Sequence, residues 1–423
     1  MNPEFATLAP LEPLMDKCVH CGFCLATCPS YLLLGQEMPS PRGRIYLMRA
    51  GVEGRVAMSA TVAGHFDTCL GCMACETACP SGVRYAPLVE HTRAAIERHH
   101  ERPWTERVFR GLLFRLLPYP ARLRLLLLPL AGAHVVRRFE WVTALLPLRL
   151  RNLLTLAPDI PAWRAGAPEF TPAHGTKRLT AGLLTGCVQS VFFGSVNAAT
   201  ARVLAAEGCD VVAPAGQGCC GALALHAGRD EDARAFARQL IAAFEALPHP
   251  VDQIVVNAAG CGSTMKMYGE LLADDPQWAA RAARFAAQVR DVTETLAHLP
   301  PQARREPIAA RVAYHDACHL AHAQGVRAEP RALLQTIPGL TLVPLAEPDI
   351  CCGSAGIFNL VQPEMAGELG RRKAGHIAEA SVDLVVTSNP GCILQIRAAL
   401  RPSGEAPRVI HIIELLDRSI RSG

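Results

Sequence analysis

Cysteines in two repeated patterns are the residues of this sequence best suited to chemistry. Thiolates bind iron, zinc and other soft metal ions, so regularly spaced cysteines indicate metal or cluster binding. Sixteen of the 17 cysteines fall into the patterns, and the other, Cys209, is expected to be an ordinary buried thiol. The first pattern, Cys-x2-Cys-x2-Cys-x3-Cys-Pro, occurs at Cys18, Cys21, Cys24 and Cys28 and again at Cys69, Cys72, Cys75 and Cys79.

The four-cysteine run is typical of bacterial ferredoxins, where thiolates hold [4Fe–4S] clusters. Three closely spaced thiolates converge on one cluster, while the fourth points away and ligates the other cluster of a two-cluster protein. Pro29 and Pro80 set the chain direction after each run. The predicted ligand sets are Cys18, Cys21, Cys24 and Cys79 for one cluster, and Cys69, Cys72, Cys75 and Cys28 for the other.

Disulfides and zinc are the alternatives for these runs. Disulfides need an oxidising compartment, whereas Met1 is followed by no apolar signal segment and Glu4, Glu12 and Asp16 come early. We therefore expect reduced thiols in the cytoplasm. Zinc sites commonly use two separated Cys-x2-Cys pairs, so the spacing favours iron–sulfur clusters.

The second pattern is a lone cysteine, a Cys-Cys pair and another lone cysteine, and it also occurs twice. The first interval is 32 residues in one copy and 33 in the other, and the second is 41 and 40. Matched intervals indicate an internal repeat. Each copy is a candidate for an additional cluster or metal, or the two copies could share one cluster at their interface. Buried free thiols or structural zinc are the alternatives. The residues are Cys187, Cys219, Cys220 and Cys261, then Cys318, Cys351, Cys352 and Cys392.

Histidines near the second pattern are further candidates. His226 follows the first Cys-Cys pair, and His315, His319 and His322 surround Cys318. Each can ligate a metal or hydrogen-bond a cluster sulfur and so tune its potential. The alternative is a polar side chain satisfied beside a loop.

Alternating strands and helices position the second pattern. Apolar segments at 179–185 and 311–315 precede the lone cysteines, segments at 291–293 and 409–416 close the copies, and helices are expected at 231–247 and 363–380. This order predicts parallel α/β units, with the cysteines at the carboxyl ends of strands, where open sheets bind ligands. The predicted fold class is α+β and α/β: a helical, ferredoxin-like domain for two [4Fe–4S] clusters, then two tandem pseudo-symmetric α/β repeats with short parallel sheets.

Length and composition fit several domains. The chain has 423 residues, half of them hydrophobic, and a net charge of +4, which argues against a nucleic-acid partner. The predicted domains are a ferredoxin-type domain at 1–100, a Leu/Arg-rich helical linker at 101–177, and cysteine-rich repeats at 178–300 and 301–423.

Leucine and arginine crowd residues 111–156. The longest stretch without charge, 125–136, contains Pro129 and is shorter than the about 20 apolar residues of a spanning helix. The composition suits an amphipathic helix on an anionic membrane, and equally a linker packed on a partner or on the chain itself. We expect peripheral membrane attachment through Arg115, Arg122, Arg124, Arg137 and Arg138.

The chemistry of a substrate-oxidising site is not expected in this chain. We identify no dinucleotide-binding strand–helix unit, P-loop or nucleophile elbow. Hence no catalytic residue is assigned, and a hydride-accepting cofactor would lie on another subunit.

Six segments resemble the iron–sulfur subunit of bacterial glycolate oxidase (glycolate dehydrogenase). They are residues 18–29, 41–46, 79–85, 218–221, 259–262 and 351–356. The resemblance implies a complex with flavoprotein subunits that hold FAD and oxidise glycolate to glyoxylate. This subunit would carry electrons onward, toward a quinone.

The repeats are also similar to the cysteine-rich domains of heterodisulfide reductase subunits, which end each copy in Cys-x2-Cys and sometimes hold non-cubane [4Fe–4S] clusters. Here Thr264 and Gln395 replace the last cysteine. The departure weakens the expectation of a non-cubane cluster and of disulfide reduction. The alternatives left open are an equivalent subunit for lactate or glycerol-3-phosphate oxidation and a heterodisulfide-reductase-like thiol protein.

Overall fold

The computed structural model describes residues 2–127, 132, 136, 139, 143, 145–157, 166–401 and 406–421. In the first of these ranges the chain is built from helices and loops, with a core that includes Phe5, Met48, Phe66 and Leu88. A 3-10 helix at Pro3–Leu11 comes first. The α-helices that follow are Glu12–Met15, Pro29–Leu34, Pro41–Val52, Ala60–Asp67, Ala74–Thr77 and Tyr85–His99.

Proline and serine set where these helices begin. Pro29 and Pro41 each occupy a first helical position, where the missing N–H costs nothing. The Ser40 hydroxyl accepts a hydrogen bond from the backbone N–H of Gly43 at 3.2 Å and so caps the helix Pro41–Val52. Helix Pro29–Leu34 therefore starts directly after Cys28 and fixes the direction of that side chain.

The leucine- and arginine-rich segment packs its inner face on the rest of the chain. Its described helices are Trp104–Leu116, Pro120–Leu125 and Leu148–Leu156. Leu113 and Phe114 are buried against Ile357. The packing on the chain itself is thus present, while Arg137, Arg138 and most of the stretch 125–136 lie outside the described residues. No described helix combines the length and apolar character needed to cross a bilayer.

The first repeat is built on a five-stranded sheet ordered β1-β3-β2-β4-β5. All neighbours pair in parallel except β1, which is antiparallel to β3. The strands are β1 (Phe170–Thr171), β2 (Leu179–Leu183), β3 (Cys209–Val212), β4 (Gln253–Val256) and β5 (Val289–Asp291).

The second repeat has a four-stranded, fully parallel sheet ordered β7-β6-β8-β9. This order reproduces β3-β2-β4-β5, so the two copies have the same topology. The strands are β6 (Ala310–Tyr314), β7 (Leu340–Val343), β8 (Leu384–Thr387) and β9 (Arg408–His411).

Helices connect the strands of both sheets, as the alternation predicts. Segments 291–293 and 409–416 are only partly strand: β5 ends at Asp291, whose side chain caps a helix, and a helix follows β9 directly. The helices are Val188–Phe192, Gly194–Ala206, Ala222–Leu225, Asp230–Glu245, Ala259–Lys266, Tyr268–Leu271, Ala279–Gln288, Val292–His298, Cys318–Ala321, Ala328–Gln335, Phe358–Val361, Pro363–Ala380, Pro390–Leu400 and Ile412–Arg421.

The two repeats share one hydrophobic core. Val255 of the first sheet and Val312 and Ile410 of the second belong to a single buried cluster. His411 lies fully buried, with its Nε2 2.9 Å from the carbonyl oxygen of Asn257 in the other repeat. Burial lowers the pKa of His411 to about 4, so this link is a neutral hydrogen bond at ordinary pH.

The N-terminal helices pack directly on the repeats. Arg93 of helix Tyr85–His99 donates a hydrogen bond of 2.9 Å to the carbonyl oxygen of His226. Gly228, at φ +81°, approaches that helix so closely that a Cβ atom would overlap the carbonyl group of Arg93. Only glycine fits both the left-handed backbone and the close approach.

We predict that Gly228→Ala destabilises the protein more than Gly216→Ala. Both glycines have positive φ, +81° and +73°, so either alanine bears about 1–2 kcal/mol of left-handed strain. At Gly216 nothing lies within 4 Å of the added Cβ, whereas at Gly228 overlap with backbone should add about 1–3 kcal/mol. Urea unfolding of anaerobically purified variants measures the difference. Equal losses of unfolding free energy in the two variants would contradict the close approach of Gly228 to the backbone of Arg93.

Candidate metal centres

A first cavity lies beneath the loop that carries the first cysteine run. The loop turns through left-handed conformations at His20 (φ 53°) and Gly22 (φ 88°). Of the 17 cysteines only Cys21 is exposed, beside Val19 and Phe23, each 67% exposed. The thiol-bearing residues that line the cavity are Cys18, Cys21, Cys24, Cys79 and Cys75.

A second cavity lies deeper, and Cys75 and Tyr85 line both. Met73, at φ 61°, provides the tight turn within the second run. The hydroxyl of Tyr85 lies 3.9 Å from the sulfur of Cys69. The cysteines that line this cavity are Cys28, Cys69, Cys72 and Cys75. The fourth cysteine of each run thus lines the cavity of the other run.

Arg44 supplies a buried positive charge beside the second cavity. Its guanidinium donates hydrogen bonds to the carbonyl oxygen of His65 at 2.7 Å and to the hydroxyls of Ser30 and Thr68 at 3.1 Å each. Burial raises the pKa of the Cys69 thiol, but Arg44 and Arg93 outweigh it and hold the pKa below its usual value. Arg44 is therefore a buried counter-charge to the thiols of the second cavity.

Arg42, two residues earlier, differs from Arg44. It is partly exposed, forms an ion pair of 2.7 Å with Glu37 and donates to the carbonyl oxygen of His20 at 2.7 Å. It holds the outer surface of the first loop in place.

The four patterned thiols of the first repeat converge at the carboxyl ends of its strands. The sulfurs of Cys187 and Cys219 are 3.6 Å apart. Cys220 interacts with the thiols of Cys219 and Cys261, and accepting hydrogen bonds from them holds its pKa well below the usual value. The pair turns at Gly221, where φ is +82° and a Cβ would lie 3.0 Å from the carbonyl oxygen of Ala233.

The second repeat gathers its thiols in the same way. Hydrogen bonds from Cys351 and Cys392 hold the pKa of Cys352 well below its usual value. Hydrogen bonding with Cys318 raises the pKa of Cys351 well above its usual value. Gly353, at φ +95°, leaves no room for a Cβ beside the carbonyl oxygen of Ala366. One thiol of each pair thus has a lowered pKa, which favours the thiolate form that binds metals.

All eight thiols of the repeats line one cavity of about 530 Å³. It lies between the two copies, and its lining is mainly apolar. The leucine- and arginine-rich segment covers one side of it through Leu117, Leu123, Leu126, Leu153, Leu154 and Leu156.

The thiols of the second repeat lie next to the second ferredoxin-type cavity. Cys72 and Cys351 belong to one buried cluster, with Cys318 packed against it. His319 joins the domains: its Nε2 is 2.9 Å from the carbonyl oxygen of Gly71 and its Nδ1 is 3.0 Å from the Ser263 hydroxyl.

The remaining candidate histidines differ in their partners. His322 contacts Thr77 at 3.1 Å and the carbonyl oxygen of Asp349 at 3.1 Å. His226 lies 3.3 Å from a carboxylate oxygen of Glu90. His315 is 1% exposed, and apart from an interaction with the thiol of Cys352 neither ring nitrogen has a hydrogen-bond partner among the described residues.

The residues at the position of the missing last cysteines do not complete a thiol set. Gln395 accepts from Asn359 at 3.1 Å and donates to the carbonyl oxygen of Ala366 at 2.9 Å, so its amide is engaged. Thr264 is fully buried. Cys209 is buried in β3, and burial raises its pKa to about 12, as suits an inert thiol.

Residues 216–221 read Gly-x-Gly-x-x-Gly, the letters of the dinucleotide fingerprint. They contain the Cys-Cys pair, and the helix that follows, Ala222–Leu225, has only four residues. The motif therefore lacks the helix N-terminus that would bind a pyrophosphate.

The donor set of both regions fits iron–sulfur clusters. All 17 cysteines are free thiols, and the patterned ones converge in four groups rather than in disulfide pairs. Soft sulfur donors in largely buried pockets are what such clusters require.

Comparison with known proteins agrees with this chemistry. The family model described as "4Fe-4S dicluster domain" matches residues 14–83, and the one described as "Cysteine-rich domain" matches 181–266 and 312–397. The probable glycolate oxidase iron–sulfur subunit of Bacillus subtilis is 37% identical, over 95% of this chain and 93% of its own. This chain belongs to the glycolate oxidase iron–sulfur subunit family.

Two further comparisons agree with the assignment. The glycolate oxidase iron–sulfur subunit of Escherichia coli is 35% identical, over 97% of this chain and 95% of its own. A crystal structure of a hypothetical protein from Helicobacter pylori superposes with a TM-score of 0.54 at 8% identity, covering 90% of this chain and 68% of the other. That likeness concerns the fold alone. The family membership confirms the resemblance inferred from the sequence, and with it the iron–sulfur character of this oxidoreductase subunit.

We predict that Arg44→Met destabilises the protein far more than Arg42→Met. The first change leaves three acceptors beside the second cavity without their donor, which should cost about 3 kcal/mol or more. The second removes a partly exposed ion pair worth less than about 1 kcal/mol. Denaturant unfolding under anaerobic conditions compares them. Similar losses of unfolding free energy in the two variants would show that the buried hydrogen bonds of Arg44 stabilise the protein no more than the partly exposed ion pair of Arg42.

Proposed function

We propose that this chain is the electron-transferring iron–sulfur subunit of a glycolate dehydrogenase complex that converts glycolate to glyoxylate. The observation that carries the proposal is the contact between thiol groups: two ferredoxin-type sets lie side by side, and the inner set packs against the thiols of the second repeat. The relatives matched over nearly the whole chain are named for glycolate, which favours it over lactate or glycerol-3-phosphate.

The first run and Cys79 would hold one [4Fe–4S] cluster, and the second run and Cys28 the other. The cavity linings support these crossed sets. Each cysteine-rich repeat would hold an additional iron–sulfur centre through its four converging thiols. Bound clusters of this kind supply one-electron carriers. The residues of this chain would favour the thiolate form of these cysteines, hold the thiolates together and keep the thiol groups in contact with one another.

A flavoprotein partner would oxidise the substrate, with FAD bound there. The loop around Cys21 is the best candidate for its docking surface in this chain. Val19 and Phe23 are exposed apolar side chains immediately beside the outermost thiol set. Apolar residues exposed next to a redox site are typical of a contact surface.

The acceptor would be a quinone. It would bind at the leucine-lined side of the cavity between the repeats, because the thiols on the other walls would hold the iron–sulfur centres. The apolar lining on that side suits a lipophilic ring. Leu126 both lines the cavity and is 37% exposed, so it lies at a mouth in the leucine- and arginine-rich segment.

The outer face of the same segment would attach the complex to the cytoplasmic face of the membrane. Trp104, Val108 and Leu112, at intervals of four residues, are 69%, 61% and 52% exposed on one helix. Arg122 and Arg124 are exposed on the next helix. An exposed apolar stripe beside arginines suits an anionic lipid surface.

Crossed ligation predicts which cysteine variants share a phenotype. Cys79→Ser and Cys21→Ser should lose the same EPR signal of a reduced cluster, and Cys28→Ser and Cys72→Ser should lose the other. Iron and sulfide should each fall by about four per chain in every case.

Cys209→Ala serves as the matched control, because Cys209 lies outside the four groups and its variant should keep all its iron. If Cys79→Ser matched Cys72→Ser instead, each run would hold its own cluster. Stoichiometric zinc without sulfide would exclude both assignments.

The division of labour is tested with the purified complex. The complex should reduce a dye with glycolate, faster than with lactate or glycerol-3-phosphate, whereas this chain alone should be inactive with all three. Adding the flavin subunit to the reconstituted chain should restore activity. Glycolate turnover by the isolated, flavin-free chain would contradict the proposal.

The acceptor site has its own pair of variants. Leu126→Arg should slow reduction of a short-chain quinone by the complex while leaving dye reduction unchanged, because it places a charge in the mouth of the cavity. Leu125→Arg is the control, since Leu125 is 76% exposed and does not line the cavity. Equal quinone kinetics in the two variants would place the acceptor elsewhere.

A further inference from the structure

His315 has the burial of a ligand, and its ring interacts with the thiol of Cys352, whose pKa it helps to lower. It is 1% exposed, and apart from that thiol neither ring nitrogen has a hydrogen-bond partner among the described residues. An imidazole nitrogen left unpaired in the interior costs free energy that a metal bond would offset. Both ring nitrogens of His319 and of His322 have hydrogen-bond partners, so the burial of these two side chains needs no metal to explain it.

The imidazole of His315 faces the thiols of the second repeat. One ring nitrogen and the sulfurs of Cys352 and Cys392 all lie within 4.8 Å of one another, and all three residues are buried. His315 follows β6 directly, and its backbone N–H donates to the carbonyl oxygen of Val386 at 2.9 Å. The pairing of β6 with β8 therefore fixes the position of the His315 backbone.

The first repeat has leucine at the equivalent position. Leu184 follows β2 directly, and its backbone N–H donates to the carbonyl oxygen of Val255 at 3.0 Å, the counterpart of the bond made by His315. Leu184 and His315 also stand at the same distance, three residues, before the lone cysteine of their copies. The repeats therefore present the same four thiols but differ in one donor.

We propose that His315 is a nitrogen ligand of an iron–sulfur centre in the second repeat, while the first repeat binds through sulfur alone. The inference rests on the proposed iron–sulfur content of the repeats. Because the neutral imidazole takes the place of one of the four thiolates, the centre is less negative, and histidine in place of cysteine raises reduction potentials. The two repeats would then be inequivalent, with the centre of higher potential in the second.

The test uses the full chain, purified anaerobically with [15N]histidine and poised over a range of potentials. Pulsed EPR should show a directly bound nitrogen whose coupling changes from 14N to 15N on labelling. His315→Leu, which installs the residue found in the first repeat, should remove that coupling and lower either the iron content or the potential of one centre.

His319→Gln is the matched control, because its ring nitrogens already bond Gly71 and Ser263, and this variant should keep the coupling. Wild-type protein with more than the eight irons of the ferredoxin-type clusters, but with neither nitrogen coupling nor any change in His315→Leu, would overturn the His315 assignment and leave the electron-transfer proposal standing. Iron limited to those eight, or zinc in the second repeat, would overturn the proposed centre itself.

Discussion

Thiolates repel one another and lose hydration when buried, so gathering them by fours in the interior is the constraint on which this structure depends. The chain meets it with geometry first. Left-handed turns at Gly22, Met73, Gly221 and Gly353 fold the cysteine loops back on themselves, and strand ends supply the remaining thiols. It then favours the thiolate form of selected cysteines. Hydrogen bonds between neighbouring thiols lower the pKa of Cys220 and Cys352, and the positive charges of Arg44 and Arg93 lower the pKa of Cys69.

The same constraint explains the packing of domains. Electrons would pass between the thiol-bound centres only over short distances. The helical N-terminal part is therefore held against both repeats. His319 joins the Gly71 loop to Ser263, and Cys72 packs with Cys351. The repeats in turn share one core, with His411 bonded to Asn257 across the boundary. Separate domains on flexible linkers would not hold the groups in register.

Much of this was accessible from sequence because cysteine spacing is a local signal. The runs, the repeat and the parallel sheets follow from intervals and strand–helix alternation, and the strands before Cys187 and Cys318 lie where the apolar segments indicate. The burial of Arg44 could not be predicted, because its acceptors lie on His65, Ser30 and Thr68, which are distant in sequence or unremarkable in type. The leucine cover of the cavity and the few partners of His315 likewise depend on contacts between remote segments.

Because Cys21 is exposed, the outermost thiol set is open to oxidants from the solvent. Every other cysteine is at least partly covered, and those of the repeats lie behind leucine side chains. Oxygen and peroxide would therefore meet the outermost thiol set first, and the part of the molecule nearest its surface would be the earliest lost. Docking of a partner over Val19 and Phe23 would shield that set, so assembly would itself be a form of protection against oxidative stress.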